Sequence, residues 1–296
     1  MEKSKPLELG LDLLKNYGIV ENNECRFISH EIGVVLSFAN MQSKILKVGQ
    51  PYRLKEGRLL YVLKGTARIL INLIEYTVST HTIVVLPPNS IVELMEVNDN
   101  YDFRGVAFTN DFLPTNEKEN LTDSYQKQGF TLHLTEKEWR LEEAYFSMLW
   151  AVVNEVPFRR EVVQHTLTAM LFNLRYLQDK NYGNAPSGSL RNEELFRRFI
   201  NLVNENCKKE RNVSFYADKL CLTPKYLGTI IRQITQQTVM DWIEQAVILE
   251  AKVLLKHSDL LIYQISDELN FPNPSFFSKF FKRLTGMTPL EYQKAV

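Results

Sequence analysis

Two hydrophobic rhythms divide the chain. Across residues 25–110, short runs rich in Val, Ile, Leu, Tyr and Phe recur between Gly, Pro, Asn and Lys-Gly breaks. Short apolar, β-branched runs punctuated by turn residues predict the strands of an antiparallel barrel or sandwich. Strands are expected at 32–38, 43–48, 59–63, 66–71, 76–78, 82–86 and 91–97. Within this region LLYVLKGTARILIN reads as two strands around a Lys64-Gly65 turn, and VVLPPNSIVEL as a strand, a Pro-Pro corner and a strand.

From residue 135 the period lengthens. Thr135 and Glu138 have capping-box spacing, and Trp139, Tyr145, Phe146, Leu149, Trp150 and Val153 follow at helical intervals. Pro157 opens a second helical pattern through Val163, Leu167, Met170, Leu171, Leu174 and Leu177. So much apolar surface on two helices requires a partner. The stretch DKNYGNAPSGS, residues 179–189, is rich in Gly, Pro, Asn and Ser and predicts a linker.

The most constrained stretch is ISDELNFPNPSFFSKFFKRLTGMTPLEY, residues 265–292. Ile265 and Leu269 lie four apart on one face of a short helix. Asn270 follows as a residue that tolerates a left-handed stop. Asn273 is an N-cap and Pro274 a pre-set first helical residue. Phe277, Phe280 and Phe281 form one apolar stripe, opposite Ser275, Ser278, Lys279, Lys282 and Arg283. Gly286 ends this helix, and Thr288-Pro289 starts another with Tyr292 facing inward.

The same layout occurs once before. Thr223-Pro224, Leu227, Ile230, Ile231, Thr235, Thr238 and Trp242 each precede a matching residue by 50 positions, whereas Ala217 and Leu220 precede Ser266 and Leu269 by 49. A fixed offset that preserves caps and apolar positions indicates a duplicated motif whose first turn is one residue shorter. Residues 241–257 read as one helix joining the copies, with Ile243, Val247, Leu254 and Leu255 inward.

Two helix-turn-helix units joined by a helix resemble the DNA-binding domain of the AraC/XylS family of bacterial transcription regulators. The resemblance rests on Ile265, Leu269, Phe271, Ser275, Phe277, Phe281, Lys282, Gly286, Thr288, Pro289 and Tyr292, with Glu250-Ala251 and Leu254-Leu255 in the linking helix. It covers roughly the last third of the chain. Asn270 stands where the family usually has Gly, Ser266 where it usually has Ala, and Val247 where Arg is common. The last departure puts a phosphate or inter-domain contact in doubt.

The resemblance implies an α+β multidomain chain. Its parts would be an N-terminal antiparallel β-barrel, cupin-like and effector-sensing, over 1–134, a helical pair for dimerisation over 135–180, a linker over 181–190, and an all-α double helix-turn-helix domain over 191–296. The two units are placed at 214–235 and 262–285. Homodimerisation is expected through the helical pair rather than simple packing of that pair on the barrel. Double-stranded DNA is the expected partner, with RNA polymerase if the protein activates.

Charge neither suggests nor opposes this reading. The 296 residues carry 35 Lys and Arg against 35 Asp and Glu, but from Leu190 onward there are 15 basic against 12 acidic residues. Cys25, Cys207 and Cys221 are scattered and have neither metal nor disulfide spacing. His30, His81, His133, His165 and His257 are isolated, so no metal or other cofactor, and no enzyme activity, is expected. There is no leader-like apolar core and no run of membrane length, so a cytoplasmic location is expected.

Base-edge readers are expected to be Ser275, Phe276, Ser278 and Lys279 in the second unit. Lys has donors for guanine, Ser serves several bases and Phe suits a thymine methyl. In the first unit the resemblance assigns this role to Lys225, Tyr226 and Thr229. Thr223, Arg232, Lys282 and Arg283 are expected on phosphates. Arg53, Tyr61, Arg68 and His81 are candidates to line a pocket for a polar or anionic effector. The expected function is a ligand-responsive regulator, in the activating mode. The alternatives are a regulator with a purely structural barrel and a small-molecule-binding or isomerase-type cupin fused to a DNA-binding tail.

Overall fold

A computed structural model describes residues 9–12, 24–38, 47–98, 100–114, 129–183 and 187–295. The chain divides into two compact units, one of Glu8–Asn184 and one containing Ala185–Val296.

The first unit contains β1 (Arg26–Ile28), β2 (Ile32–Val35), β3 (Pro51–Arg53), β4 (Gly57–Lys64), β5 (Thr66–Ile71), β6 (Ile74–Ser79), β7 (Thr82–Leu86), β8 (Ile91–Val97), β9 (Asp102–Phe108) and β10 (Phe130–His133). Among the described residues they make two antiparallel sheets rather than a closed barrel. One has the order β1-β2-β9-β4-β7-β10 and the other β3-β8-β5-β6. The expected strands at 66–71, 82–86 and 91–97 match β5, β7 and β8. Of the strand expected at 43–48, residues 43–46 lie outside the described residues, and 47–48 are not in a strand.

Side-chain alternation explains how the sheets stack. Along β4, Leu60 and Val62 face an apolar layer that also holds Ala67, Ile69 and Ile71 of β5, whereas Leu59 and Tyr61 face the opposite way. On β7, Val84 and Leu86 join the inter-sheet layer while Ile83 and Val85 face out. A strand covered on both faces needs an uninterrupted apolar run, which is what TIVVL supplies.

The cover on the outer face is the helical pair, α1 (Glu136–Val153) and α2 (Arg160–Gly183). The capping box of α1 forms: the Glu138 amide donates to the Thr135 hydroxyl, and Glu138 Oε2 accepts from the Thr135 amide at 3.0 Å. Trp139, Phe146, Leu149, Val153, Val163, Leu167, Met170, Leu171, Leu174 and Leu177 all pack in the layer against the six-stranded sheet. The residues that prompted the dimer expectation therefore find their partner within their own unit. The outward faces retain Leu141, Met148, Phe172 and Tyr176 in solvent. Of the expected linker at 181–190, residues 181–183 end α2 and 187–190 begin the next helix, while 184–186 lie outside the described residues. Helix propensity is a weak prior near helix ends, where Gly and Ser are tolerated.

One carboxylate lies inside the sheet–helix layer. Glu142 of α1 is fully buried, accepting from the Tyr61 hydroxyl at 3.0 Å and from the Asn173 side-chain amide at 2.6 Å. The Arg104 guanidinium stacks on Phe146 at 4.1 Å and reaches Glu143 at 3.3 Å. Burial pushes the Glu142 carboxyl up from the usual carboxylate range, against the hydrogen bonds from Asn173 and Tyr61 and the charge of Arg104. A raised folded-state pKa contributes stability that is complete below the unfolded value of 4.5 and is lost as pH rises through the folded value. Glu142→Gln is therefore expected to melt at a higher temperature than the parent near neutral pH, with the difference shrinking as the medium is acidified. Thermal melts of both proteins across that range check this, and a difference independent of pH would contradict it.

The second unit is all helix: α3 (Ser187–Asn206), α4 (Val213–Lys219), α5 (Pro224–Thr235), α6 (Val239–His257), α7 (Ile262–Glu268), α8 (Pro274–Thr285) and α9 (Pro289–Lys294). The duplication is reproduced bond by bond. The Leu222 amide donates to Ala217 O and the Phe271 amide to Ser266 O, both at 2.9 Å. Cys221 and Asn270 are left-handed at φ 57° and 53°, and Gln236 and Gly286 likewise at 62° and 78°. The Thr235 and Thr285 hydroxyls donate to Ile231 O and Phe281 O, both at 2.8 Å. Val247, where an arginine was the family expectation, is fully buried, so the position packs. Among the described residues no helix is long and apolar enough to cross a membrane, and no cluster of His, Cys, Asp and Glu has metal-binding proximity.

Candidate nucleic-acid interface

Helices α5 and α8 are built alike. Each begins with an N-cap and a proline: the Thr223 hydroxyl accepts from the Tyr226 amide at 3.2 Å, and Asn273 Oδ1 accepts from the Ser275 and Phe276 amides at 3.1 Å. Each buries one stripe, Leu227, Ile230 and Ile231 in α5 and Phe277 and Phe281 in α8. Burying that stripe turns the opposite face outward. Lys225, Tyr226, Thr229 and Arg232 are exposed on α5, as are Ser275, Phe276, Lys279, Lys282 and Arg283 on α8, while Ser278 is half-buried.

The exposed aromatic residues are informative because they leave apolar area in water. Tyr226 and Phe276 occupy equivalent positions, 49% and 60% exposed. Their neighbours do not match one for one. Lys225 corresponds to Ser275 and Thr229 to Lys279, so the lysine lies in the first turn of α5 and one turn later in α8. Two expected contacts have local partners. The Thr229 hydroxyl donates to Lys225 O at 3.0 Å, and Arg283 is paired with Glu244 of α6 at 2.7 Å. Arg283 also lies 5.5 Å from the centre of the Phe280 ring.

Glu244 lies 39 residues from Arg283 and carries no motif, so sequence reading passed over it. An exposed ion pair contributes little to stability, about 0–1 kcal/mol. Breaking this one releases a cation on the outward face. Glu244→Gln is expected to leave the melting temperature nearly unchanged and to steepen the dependence of DNA affinity on salt by about one counterion. Titrations on a fixed duplex at several salt concentrations measure this, and an unchanged slope would mean that freeing Arg283 from Glu244 adds no phosphate contact.

The four effector candidates are dispersed. Tyr61 is buried beneath α1, with its ring 6.1 Å from Trp139 and 5.3 Å from Phe146. His81 takes a left-handed turn position with its ring 4.9 Å from Trp139. Arg68 is on the outer side of β5, paired with Glu75 at 2.7 Å and Glu96 at 3.1 Å. Arg53, on β3, donates to Asn89 O at 3.0 Å. Tyr61 and His81 share a neighbour, Trp139. The residues that do converge in the interior are Tyr61, Arg104, Glu142 and Asn173. The signal for Glu142 was present in the sequence, because it continues the stripe of Trp139, Phe146, Leu149 and Val153.

Residues 216–295 match a family described as a helix-turn-helix domain. They span α5, α8 and the helix that joins them. The second unit carries an AraC/XylS-family DNA-binding domain. The chain is 28% identical to the HTH-type transcriptional activator RhaR of Shigella flexneri serotype 5b, over 62% of this chain and 66% of that protein. The RhaR protein of Escherichia coli K12 matches with the same identity and coverage. The chain thus spans just under two thirds of these relatives' length. Among solved structures, unsaturated fatty acid-bound ToxT from Vibrio cholerae aligns over 93% of this chain and 96% of its own, at 15% identity and a TM-score of 0.43.

Proposed function

We propose that the protein is a sequence-specific DNA-binding transcriptional regulator that works as an activator and not as an enzyme. The observation that carries this reading is the pair of equivalent helices, α5 and α8, whose outward first turns combine an exposed aromatic ring with lysine, serine or threonine. Such a helix offers donors to guanine, hydroxyls to several bases and apolar contact to thymine methyl groups. In this reading Lys225, Tyr226, Thr229, Ser275, Phe276, Ser278 and Lys279 face base edges. Thr223, Arg232, Lys282 and Arg283 position the backbone. Two reading helices on one chain require two subsites about one helical turn, roughly 34 Å, apart on one side of the duplex.

The finer parts belong to the same proposal. The N-terminal unit is a cupin-like sensor of a small molecule. The outward faces of α1 and α2, with Leu141, Met148, Phe172 and Tyr176, receive a second copy of the chain. The chain acts in the cytoplasm, and RNA polymerase is the partner of activation. A second reading is favoured by one observation: apolar side chains fill the layer between the sheets and the effector candidates point in different directions. In that case the N-terminal unit is structural and protein abundance sets the response.

Capture of genomic DNA fragments by the purified full-length protein, with and without metabolite extract, tests both readings. A shared motif with two subsites about one turn apart is the expected result. A change with extract supports the sensor, and no change supports the structural reading. Binding that is salt-sensitive and independent of sequence overturns the assignment.

A further inference from the structure

The two reading helices are joined by α6, but they are also tied by a second route. The turn preceding α4 reaches across to the other helix-turn-helix. The Asn270 side-chain amide donates to Lys209 O at 3.1 Å, and the Arg211 guanidinium donates to Leu269 O. Arg211 also lies 3.8 Å from the centre of the Phe271 ring, within cation–π range. Phe271 in turn packs against Phe277 and Phe280 of α8, with ring centres 5.2 and 5.1 Å apart. The near end of the tie is anchored as well. Lys208 pairs with Glu250 of α6 at 3.2 Å, and the Tyr216 hydroxyl of α4 donates to Glu210 O at 2.7 Å.

The turn at Lys208–Arg211 therefore sits between the first helix-turn-helix, the linking helix and the ring that seats the second reading helix. Asn270 is the position where the resembling family usually has glycine. Both residues tolerate its φ of 53°, but only asparagine brings a side-chain donor to the turn before α4. The exchange adds a bond between the two helix-turn-helix motifs at a small cost to the turn.

We propose that Arg211 and Asn270 are positioning residues that set the separation of α5 and α8, and with it the spacing between subsites that the protein accepts. This rests on the DNA-reading proposal above. Without the tie, the second helix-turn-helix is held to the first chiefly through the contacts of α6. It can then follow a displaced subsite. With the tie, such a site leaves one reading helix out of its groove.

The experiment uses the full-length protein and a duplex selected by it from a random-sequence library. Two further duplexes carry insertions of one and two base pairs between the subsites, and a fourth retains a single subsite. Two base pairs move the second subsite by roughly 7 Å and turn it by roughly 70° about the duplex axis. The parent is expected to lose about tenfold or more in affinity on that insertion, comparable to losing a specific contact. Arg211→Gln and Asn270→Gly together are expected to reduce that penalty to about threefold or less, with single-subsite affinity unchanged. Asn270→Gly alone, which retains the left-handed turn, is expected to give part of the effect and serves where the double variant folds poorly. A parent that discriminates site from random DNA, with variants that keep its full spacing penalty, overturns the tie and leaves the DNA-reading proposal intact. A parent that does not discriminate removes both.

Discussion

Truncation of Phe277 to alanine is expected to destabilise the AraC/XylS domain by about 3–5 kcal/mol. Phe277 is fully buried and touches Phe271 and Phe281, with ring centres 5.2 and 5.9 Å away. A short three-helix unit has little else to fill the space. Deleting the ring thus leaves a cavity lined by the same residues that hold α8 at its angle. The loss is a large fraction of the stability of an ordinary domain, about 5–15 kcal/mol. Affinity for a specific duplex should fall to that for random DNA, because the reading helix is no longer held in place. Chemical denaturation of parent and variant measures the first effect. A loss below about 1 kcal/mol would show that Phe271 and Phe280 collapse into the space.

The second large effect is on binding. Lys225→Ala combined with Lys279→Ala is expected to weaken binding to the selected duplex by about 2–6 kcal/mol, roughly twice the cost of one lost base contact. The two lysines lie on different helices and different subsites, so their costs should add. Both side chains are exposed, so the fold should be unaffected and the melting temperature should stay within about a degree of the parent's. Binding to random DNA should weaken far less. If specific and random duplexes lose equally, both lysines are phosphate contacts and the base reading falls to the aromatic and hydroxyl side chains.

How far this architecture could be read from the sequence depended on the range of the interactions. The caps at Thr223, Asn273 and Thr288, the stops at Asn270 and Gly286 and the stripes of α5 and α8 are all local, and the 50-residue offset repeats them. The strands were legible by the same logic, since β5, β7 and β8 are bounded by turn residues. Which face of a strand meets which partner was not. Alternation along β4 separates Tyr61 from Leu60 and Val62 but cannot say that Tyr61 meets a helix rather than a pocket. The apolar surface of α1 and α2 was likewise visible, but its partner in the sheet was not, because much of that pairing joins residues far apart in the chain, such as Arg104 with Glu143 and Tyr61 with Glu142. The Arg283–Glu244 pair and the Arg211–Asn270 tie are also long-range contacts between residue types that are usually solvated. For Glu142 the pattern held a usable hint, a carboxylate in a stripe of large apolar residues.

The unequal placement of the lysines in α5 and α8 also bears on direction. Two identical readers related by a two-fold axis could exchange places when the chain is turned end over end, and the bound complex would look the same from either side. With Lys225 in the first turn of one helix and Lys279 a turn later in the other, no such exchange is possible. A single chain then has one productive heading on its site. Turning the site around within a promoter would present the opposite flank of the protein to whatever lies downstream.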